Sequence, residues 1–304
     1  APSEDKKGSL TIGTHALIHD KEEFSNGLGL VVIDEQHKFG VAQRQSLIER
    51  GDTPDVLVMT ATPIPRTLAL AFYGDLDVSI LDELPPGRGK IITGIRLTSQ
   101  TKQATDFLKD QLKDGRQAYV VYPLIEESEK LKANAATVEF EKWKKSLSGV
   151  ELVLLHGKMS AEEKDAVMEK FRSGSAQVLV STTVIEVGVD VPNANVMLIY
   201  NAERFGLAQI HQLRGRIGRG EHKSFCVLMI DPEAAEAKER LRILEETRDG
   251  FRIADEDLSQ RGPGEVLGTQ QSGLPDLKFA EFLGDSQLVE QAKKIAEGIL
   301  ASQT

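Results

Sequence analysis

The hydrophobic residues of the chain fall in short apolar runs, separated by segments with a helical period. The runs are typical of buried β-strands. They cover residues 28–34, 55–61, 117–125, 151–156, 177–182, 194–200 and 224–230. Segments 101–115 and 160–174 repeat apolar residues at helical spacing, and Ser160 and Glu163 have the spacing of a capping box. This alternation predicts an α/β fold with parallel sheets covered on both faces.

Two changes in the pattern divide the chain. The Pro- and Gly-rich stretch 84–90 (LPPGRGK) interrupts the alternation and is the predicted domain boundary. From about Pro232 strand-like runs give way to a charged segment of helical period, which we expect to break near Asp249 and Gly250. The predicted domains are 1–90, 91–232 and a helical extension at 233–304.

The composition is that of a globular chain, with 40% hydrophobic and 28% charged residues. No apolar run approaches the roughly 18 residues that span a bilayer, and the first ten residues have no apolar core of a secretory signal. The single cysteine, Cys226, lies in an apolar run and is predicted to be a core residue. We therefore expect a cytoplasmic protein that does not interact with a membrane.

The net charge of −10 argues against a protein that coats nucleic acid through bulk positive charge. A local basic cluster nevertheless stands out in the second half of the chain. It consists of Arg204, Arg214, Arg216, Arg219 and Lys223. The cluster could bind phosphate groups or could be an ordinary solvated surface.

Candidate chemistry begins where the first apolar run ends. Asp34 and Glu35 open the tetrapeptide DEQH there. Two adjacent carboxylates suit a nucleotide-bound magnesium ion, one holding the ion through water and the other orienting the attacking water. They are also ordinary turn residues. Thr60 and Thr62, at the end of the second run, carry hydroxyls that could bond the neighbouring strand end, although threonine is also common in strands.

Two later segments carry candidate phosphate chemistry. In 181–194, Gly188 and Asp190 flank a turn where the backbone could approach a ribose or phosphate. In 209–220, Arg216 and Arg219 are three residues apart, so on a helix they would share a face. Two guanidiniums there could neutralise charge that develops during phosphoryl transfer. An exposed basic helix is the alternative.

Taken in order, these segments resemble the motifs of superfamily-two helicases. DEQH, TAT, STTVIEVGVDVP and QLRGRIGR are similar to motifs II, III, V and VI, and the two strand-rich regions look like paired RecA-like domains, the first of them incomplete. VVIDEQHKFGVAQR, MTATPIPRTLAL, LLHGKMSAEEKDAVM and DLSQRGPGEVLGTQQSGLPDLKFA resemble the RecG family, over nearly the whole chain. Transcription-repair coupling factors have a comparable last segment, but Pro263 and the DEQH tetrad are closer to RecG.

The resemblance implies an ATP-dependent DNA helicase that remodels branched DNA and stalled replication forks in recombination and repair. ATP and Mg²⁺ would be its cofactors, branched duplex DNA its partner, and the protein would be a monomer. Asp34 would bind the magnesium, and Glu35 would be the catalytic carboxylate. Gln36 and His37 would link the nucleotide site to Thr60 and Thr62. The site would be completed by Gly188, Asp190, Arg216 and Arg219.

The resemblance also implies residues that meet DNA. Because motor domains grip phosphates rather than base edges, these would contact the DNA backbone. They are Thr14, His15, Lys158 and Thr182. In the C-terminal loop 261–273, three polar residues would couple hydrolysis to DNA movement. They are Arg261, Gln270 and Gln271.

The sequence departs from the family in one respect. A phosphate-cradling loop ends in Gly-Lys followed by Ser or Thr, whereas Lys90 is followed by Ile91 and Lys158 by Met159. RecG-like proteins carry that loop upstream of the equivalent of Leu10. The chain is thus expected to start inside the first motor domain, as a piece or a truncated paralogue, and to be inactive alone as an ATPase. The alternative is a non-catalytic DNA-binding or interaction module with a retained motor fold.

Overall fold

A computed structural model describes most of the second half of the chain and parts of the first. The described residues are 10–14, 17, 28–35, 54–60, 77–81, 83, 87–123, 129–182, 191–261, 291, 295, 298 and 299. The chain forms two compact units, Ala1–Thr62 and Pro63–Thr304. Among the described residues, no helix combines the length and apolar character needed to cross a membrane.

The first unit contains two parallel strands. β1 (Leu30–Ile33) lies beside β2 (Asp55–Val58), and the pairing runs from Leu30 opposite Asp55 to Ile33 opposite Val58. Val31 and Ile33 are buried on one face of β1. Both strands were predicted from their apolar runs, and because they are parallel, the residues that follow them lie at the same edge.

The second unit is built on a six-stranded parallel sheet with the order β3-β8-β7-β4-β6-β5. Its strands are β3 (Ile91–Leu97), β4 (Gln117–Tyr122), β5 (Leu152–Leu155), β6 (Val178–Thr182), β7 (Ala194–Tyr200) and β8 (Ser224–Ile230). Its helices are α1 (Thr101–Lys113), α2 (Glu129–Ser146), α3 (Ala161–Arg172), α4 (Leu207–Arg214), α5 (Ala237–Leu241), α6 (Ile243–Glu246) and α7 (Gly250–Arg261). Short 3-10 helices lie at Thr98–Gln100, Ala202–Arg204 and Pro232–Ala234.

Helices cover both faces of this sheet. Along β4, Tyr119 belongs to one hydrophobic cluster and Val120 to another, as expected when successive side chains point to opposite faces. Leu244 of α6 lies in the first cluster, and Trp143 of α2 lies in the second. All seven residues of β7 are buried, which explains why its apolar run is continuous rather than alternating.

The predicted capping box and core cysteine agree with the structure, whereas β3 was not predicted. Ser160 Oγ accepts a hydrogen bond from the Glu163 N–H, and a Glu163 carboxylate oxygen accepts one from the Ser160 N–H, so the capping box at α3 is confirmed. Cys226 is fully buried, as predicted. β3 escaped prediction because it is an edge strand whose sequence, IITGIRL, mixes polar and apolar residues on a half-exposed surface.

The segment after β8 is helical, as predicted, and contains no strand among its described residues. The predicted break is also present, because α6 ends at Glu246 and α7 begins at Gly250. Leu241 of α5 and Ile253 of α7 are buried in the first hydrophobic cluster of the sheet. The helices α5–α7 therefore share a core with the sheet.

Candidate functional site

The carboxylates Asp34 and Glu35 lie at the carboxyl edge of the first unit. Asp34 directly follows β1, and its Oδ1 accepts a hydrogen bond from the Glu35 N–H at 2.9 Å. The Met59 N–H donates to the Ile33 carbonyl at 2.8 Å, so the pairing continues past β2 to the residue before Thr60. The structure therefore brings Asp34, Glu35 and Thr60 to one edge of the two strands.

Glu35 has an unusual backbone conformation for a residue with a side chain. Its φ is 51°, in the left-handed region. Such a conformation costs on the order of 1–3 kcal/mol and is found preferentially at functional sites. It turns the chain sharply after β1, and Glu35 is half-buried whereas Asp34 is exposed. The two adjacent carboxyl groups therefore have different surroundings.

This arrangement fits a magnesium ion that keeps much of its water. Among the described residues, no group of three or more His, Cys, Asp or Glu side chains could hold a metal ion. Mg²⁺ at nucleotide sites is commonly held by one or two carboxylates, waters and phosphate oxygens. The exposed Asp34 matches that requirement.

The arginine loop, residues 215–223, differs from its prediction. α4 ends at Arg214, so Arg216 and Arg219 do not share a helix face, and that part of the prediction was wrong. Gly218 lies between them with a φ of 75°, which turns the chain after the helix. Arg219 Nε donates to the Gly215 carbonyl at 3.4 Å. Both arginines are half-buried in the loop rather than exposed on a helix.

The arginine loop and the predicted DNA contacts of the second unit lie at opposite edges of the sheet. The loop leads into β8 at the amino edge, whereas Lys158 and Thr182 lie at the carboxyl ends of β5 and β6. β7 spans the sheet with seven residues, so the two edges are separated by roughly 20 Å at about 3.3 Å per residue. The structure therefore keeps the two candidate groups apart.

Lys158 follows β5 and Thr182 ends the neighbouring β6, but the two residues differ in exposure. Leu155 of β5 pairs with Ser181 of β6, so the ends of these strands are adjacent. Lys158 is exposed, whereas Thr182 is 6% exposed. Of the two, Lys158 is the better placed to meet a phosphate group.

Arg214 is not part of a surface cluster. Only 2% of it is exposed, and its guanidinium donates to the carbonyl oxygens of Leu244 at 2.7 Å and Thr247 at 3.0 Å. It also donates to Thr93 Oγ1 at 3.3 Å and lies 3.0 Å from His211 Nδ1. The prediction that grouped Arg214 with exposed arginines was therefore wrong. Its function here is to join α4 to β3 and to the end of α6.

His211 is neutral in this environment. Burial, followed by the positive charge of Arg214, lowers the pKa of His211 to about 4. Because Arg214 can only donate hydrogen bonds, the His211 Nδ1 must be the unprotonated acceptor.

This pKa shift predicts an acid-sensitive contact. In the unfolded chain His211 becomes protonated below about pH 6.5. In the folded chain it becomes protonated only near pH 4. Neutral His211 therefore makes its full contribution to the free energy of unfolding above pH 6.5. This contribution, on the order of 3 kcal/mol, is lost as the pH falls towards 4. Between pH 7 and pH 4, the free energy of unfolding measured with urea should decrease less for His211→Gln than for the parent. The exposed His222→Gln serves as control, and equal losses in all three proteins would contradict the prediction.

The helices after the sheet hold α4 at both ends. Asp257 of α7 accepts a hydrogen bond from the Leu207 N–H at 3.2 Å, at the start of α4, and Arg214 binds the carbonyls after α6 at its end. Arg240 of α5 donates to the carbonyls of Glu203 and Phe205 just before α4. Hydrogen bonds therefore tie both ends of α4 to α5–α7.

The sequence did not predict the connecting role of Arg214, Arg240 and Asp257. A signal for Arg214 was available, because Leu207, Ile210 and Arg214 have the three- and four-residue spacing of one helix face, and the first two are apolar. No comparable signal marks Asp257 or Arg240, since charged residues on a helix are usually exposed.

Some predicted site residues lie outside the described residues. They are His15, Gln36, His37, Thr62, Gly188, Asp190, Gln270 and Gln271. Thr14 is described and exposed, and Arg261 is the last residue of α7.

Two protein-family models match the chain. Residues 100–221 match the helicase conserved C-terminal domain, and residues 247–304 match domain 3, C-terminal, of the ATP-dependent DNA helicase RecG. The first match covers α1 to the arginine loop, and the second begins just before α7.

Curated proteins named ATP-dependent DNA helicase RecG are similar to almost the whole chain. The Bacillus subtilis protein is 51% identical over 294 residues, which are 96% of this chain and 43% of that protein. The Aquifex aeolicus protein is 53% identical over 305 residues, covering 97% of this chain and 38% of that protein. The chain thus spans about two fifths of the length of these relatives.

A solved structure agrees with the sequence comparison. The structure of RecG bound to a three-way DNA junction has 49% sequence identity and a TM-score of 0.70 with this chain. The match covers 92% of this chain and 36% of the RecG chain.

Proposed function

We propose that this chain is the C-terminal motor portion of a helicase that remodels branched DNA. The premise is that it is related to the RecG family of ATP-dependent DNA helicases along almost its whole length. One observation carries the proposal beyond the similarity. The arginine loop and the exposed Lys158 lie at opposite edges of one sheet. A motor needs such a separation, because it must bind the nucleotide and the DNA at the same time.

The proposed nucleotide chemistry assigns a step to each charged group. Asp34 holds a magnesium ion, which when bound neutralises phosphate charge. Glu35 accepts a proton from the attacking water, and the strained backbone at this residue supports such a role. Arg216 and Arg219 stabilise the negative charge that develops on the transferring phosphoryl group. We assign Gly188 and Asp190 to contacts with the ribose or phosphates, and Gln36, His37, Thr60 and Thr62 to coupling within the motor.

The proposed DNA contacts are made with phosphates rather than bases. Lys158 supplies a positive charge at the carboxyl edge, and Thr14, His15 and Thr182 supply further backbone contacts. The DNA is a branched duplex, as in the complex of the related RecG with a three-way junction. We further propose that the protein acts as a monomer in the cytoplasm.

The second candidate function is a non-catalytic DNA-binding or interaction module. It is favoured by the sequence, which contains no Gly-Lys pair followed by Ser or Thr. It does not explain why Asp34, Glu35, Arg216 and Arg219 are all present, since binding alone requires neither two adjacent carboxylates nor two arginines in one loop.

An ATPase assay on two proteins separates the candidates. The polypeptide of residues 1–304 alone should show no DNA-stimulated ATP hydrolysis, because a nucleotide bound without a phosphate-cradling loop lacks the backbone amides and lysine that grip its phosphates. The full-length protein should hydrolyse ATP, and Glu35→Gln should abolish that activity. Turnover by residues 1–304 that is lost in Glu35→Gln would contradict the first expectation. An inactive full-length protein would favour the binding module.

A further inference from the structure

Gly89 packs its backbone directly against the arginine loop. It is buried just before β3, and its N–H donates to the Gly220 carbonyl at 2.9 Å. The next carbonyl, that of Lys90, accepts a hydrogen bond from the Ser224 N–H at 2.9 Å. These two bonds extend the pairing of β3 with β8 back to the residue that follows Arg219.

No side chain fits at position 89. A Cβ atom there would lie 2.2 Å from the carbonyl oxygen of His222 and 2.8 Å from that of Gly220. Both obstacles are backbone atoms, which cannot rotate away as the end of a side chain can. A methyl group at position 89 would therefore displace the arginine loop by roughly 1 Å to restore van der Waals distances.

Ile91 makes a second contact with the same loop. A Cβ atom at Gly218 would lie 2.6 Å from Ile91 Cγ1, so the Ile91 side chain occupies the space beside this glycine. Gly218 forms the turn between Arg216 and Arg219. The Ile91 side chain therefore packs against the turn that separates the two guanidiniums.

We infer that Gly89 and Ile91 are positioning residues for ATP hydrolysis, and the inference rests on the proposed function of Arg216 and Arg219. Both residues contact the arginine loop and would act through it. They fix the backbone that carries the two guanidiniums, and a displacement of about 1 Å at a reacting centre can lower a rate by about 10²-fold. Gly89 belongs to the Pro- and Gly-rich stretch 84–90, so the segment that leads into the second sheet also sets the position of the arginine loop.

The test compares two glycines in the full-length protein. Gly89→Ala should lower kcat for DNA-stimulated ATP hydrolysis by about 10²-fold. KM for ATP and the affinity for DNA should change less than about threefold, because only an interaction that strengthens in the transition state is lost. Gly94→Ala is the matched control, since a Cβ atom there meets only the Arg96 guanidinium, at 3.6 Å or more. Equal kcat values for the two variants would overturn the inference.

A combined variant distinguishes positioning from a general structural defect. If Gly89 acts through Arg216 and Arg219, then Gly89→Ala in a background that carries both Arg216→Ala and Arg219→Ala should lower kcat by less than about tenfold further. The full 10²-fold loss in that background would show an effect independent of both arginines and would overturn the inference.

A variant that only removes atoms tests the second contact without a steric clash. Ile91→Ala should lower kcat by about tenfold with DNA affinity unchanged, whereas Ile92→Ala, at a side chain that is 42% exposed, should not. Equal kcat values for these two variants would remove Ile91 from the inference. If Arg219→Ala lowers turnover as expected while Gly89→Ala and Ile91→Ala keep the kcat of the parent, only the inference fails. If Arg219→Ala itself keeps the turnover of the parent, the proposed function fails, and the inference fails with it.

Discussion

Replacing Arg216 or Arg219 with alanine in the full-length protein is expected to lower ATP turnover by on the order of 10³-fold, the effect of removing an arginine that stabilises phosphoryl transfer. DNA affinity should change little. The reason is the position of the arginine loop at the amino edge of the six-stranded sheet, whereas the exposed Lys158 lies at the carboxyl edge. Each arginine is half-buried, which strengthens its interaction with developing charge relative to a solvated side chain.

Lys223→Ala is the matched control for this experiment. Lys223 lies in the same loop with the same charge, but its side chain is exposed. Its loss should leave turnover within about threefold of the parent, because an exposed charge is screened by water and salt. Near-normal turnover of Arg216→Ala and Arg219→Ala, combined with lost DNA binding, would assign both arginines to the nucleic-acid surface instead.

Strands β7 and β8 could be predicted because their physical environment is nearly uniform. β7 and β8 are buried along most of their length, so their apolar runs match the observed bounds, 194–200 and 224–230. β3 pairs with another strand on one side only, and its polar residues Thr93 and Arg96 interrupt the apolar run that would otherwise predict a strand. Helix α3 was predictable because its capping box and its terminal glycine are local signals.

The parts of the site that could not be predicted depend on contacts between distant segments. Spacing alone placed Arg216 and Arg219 on a helix, but α4 ends earlier, at Arg214. The contact of Gly89 with Gly220 joins residues that are far apart in sequence, and a glycine in a Pro- and Gly-rich stretch is predicted first as a turn. The order of the motifs indicated the family. The packing of the arginine loop against Gly89 could be seen only in the three-dimensional structure.

Fork unwinding should depend on the segment that follows α7. Arg261→Ala or Gln271→Ala in the full-length protein is expected to abolish unwinding while leaving ATP hydrolysis and DNA binding largely intact. The structural basis is the attachment of α4 to the later helices. Asp257 binds the start of α4, and Arg214, at its end, binds the carbonyls of Leu244 and Thr247. A shift of the arginine loop would therefore move α7, whose last residue is Arg261.

The competing interpretation is that residues 261–273 are only a surface linker, since this stretch contains Pro263 and several glycines. Measuring all three activities on the same variant decides between the two. Arg252→Ala is the control, because Arg252 is an exposed arginine on the same helix and should keep all three activities. A linker would tolerate the loss of a single polar side chain, so unwinding that falls only in proportion to ATP hydrolysis would show that this segment has no separate coupling role. Complete loss of unwinding at near-normal ATP turnover would mean that hydrolysis proceeds without moving the DNA. The variant would then have lost the coupling between ATP hydrolysis and DNA movement.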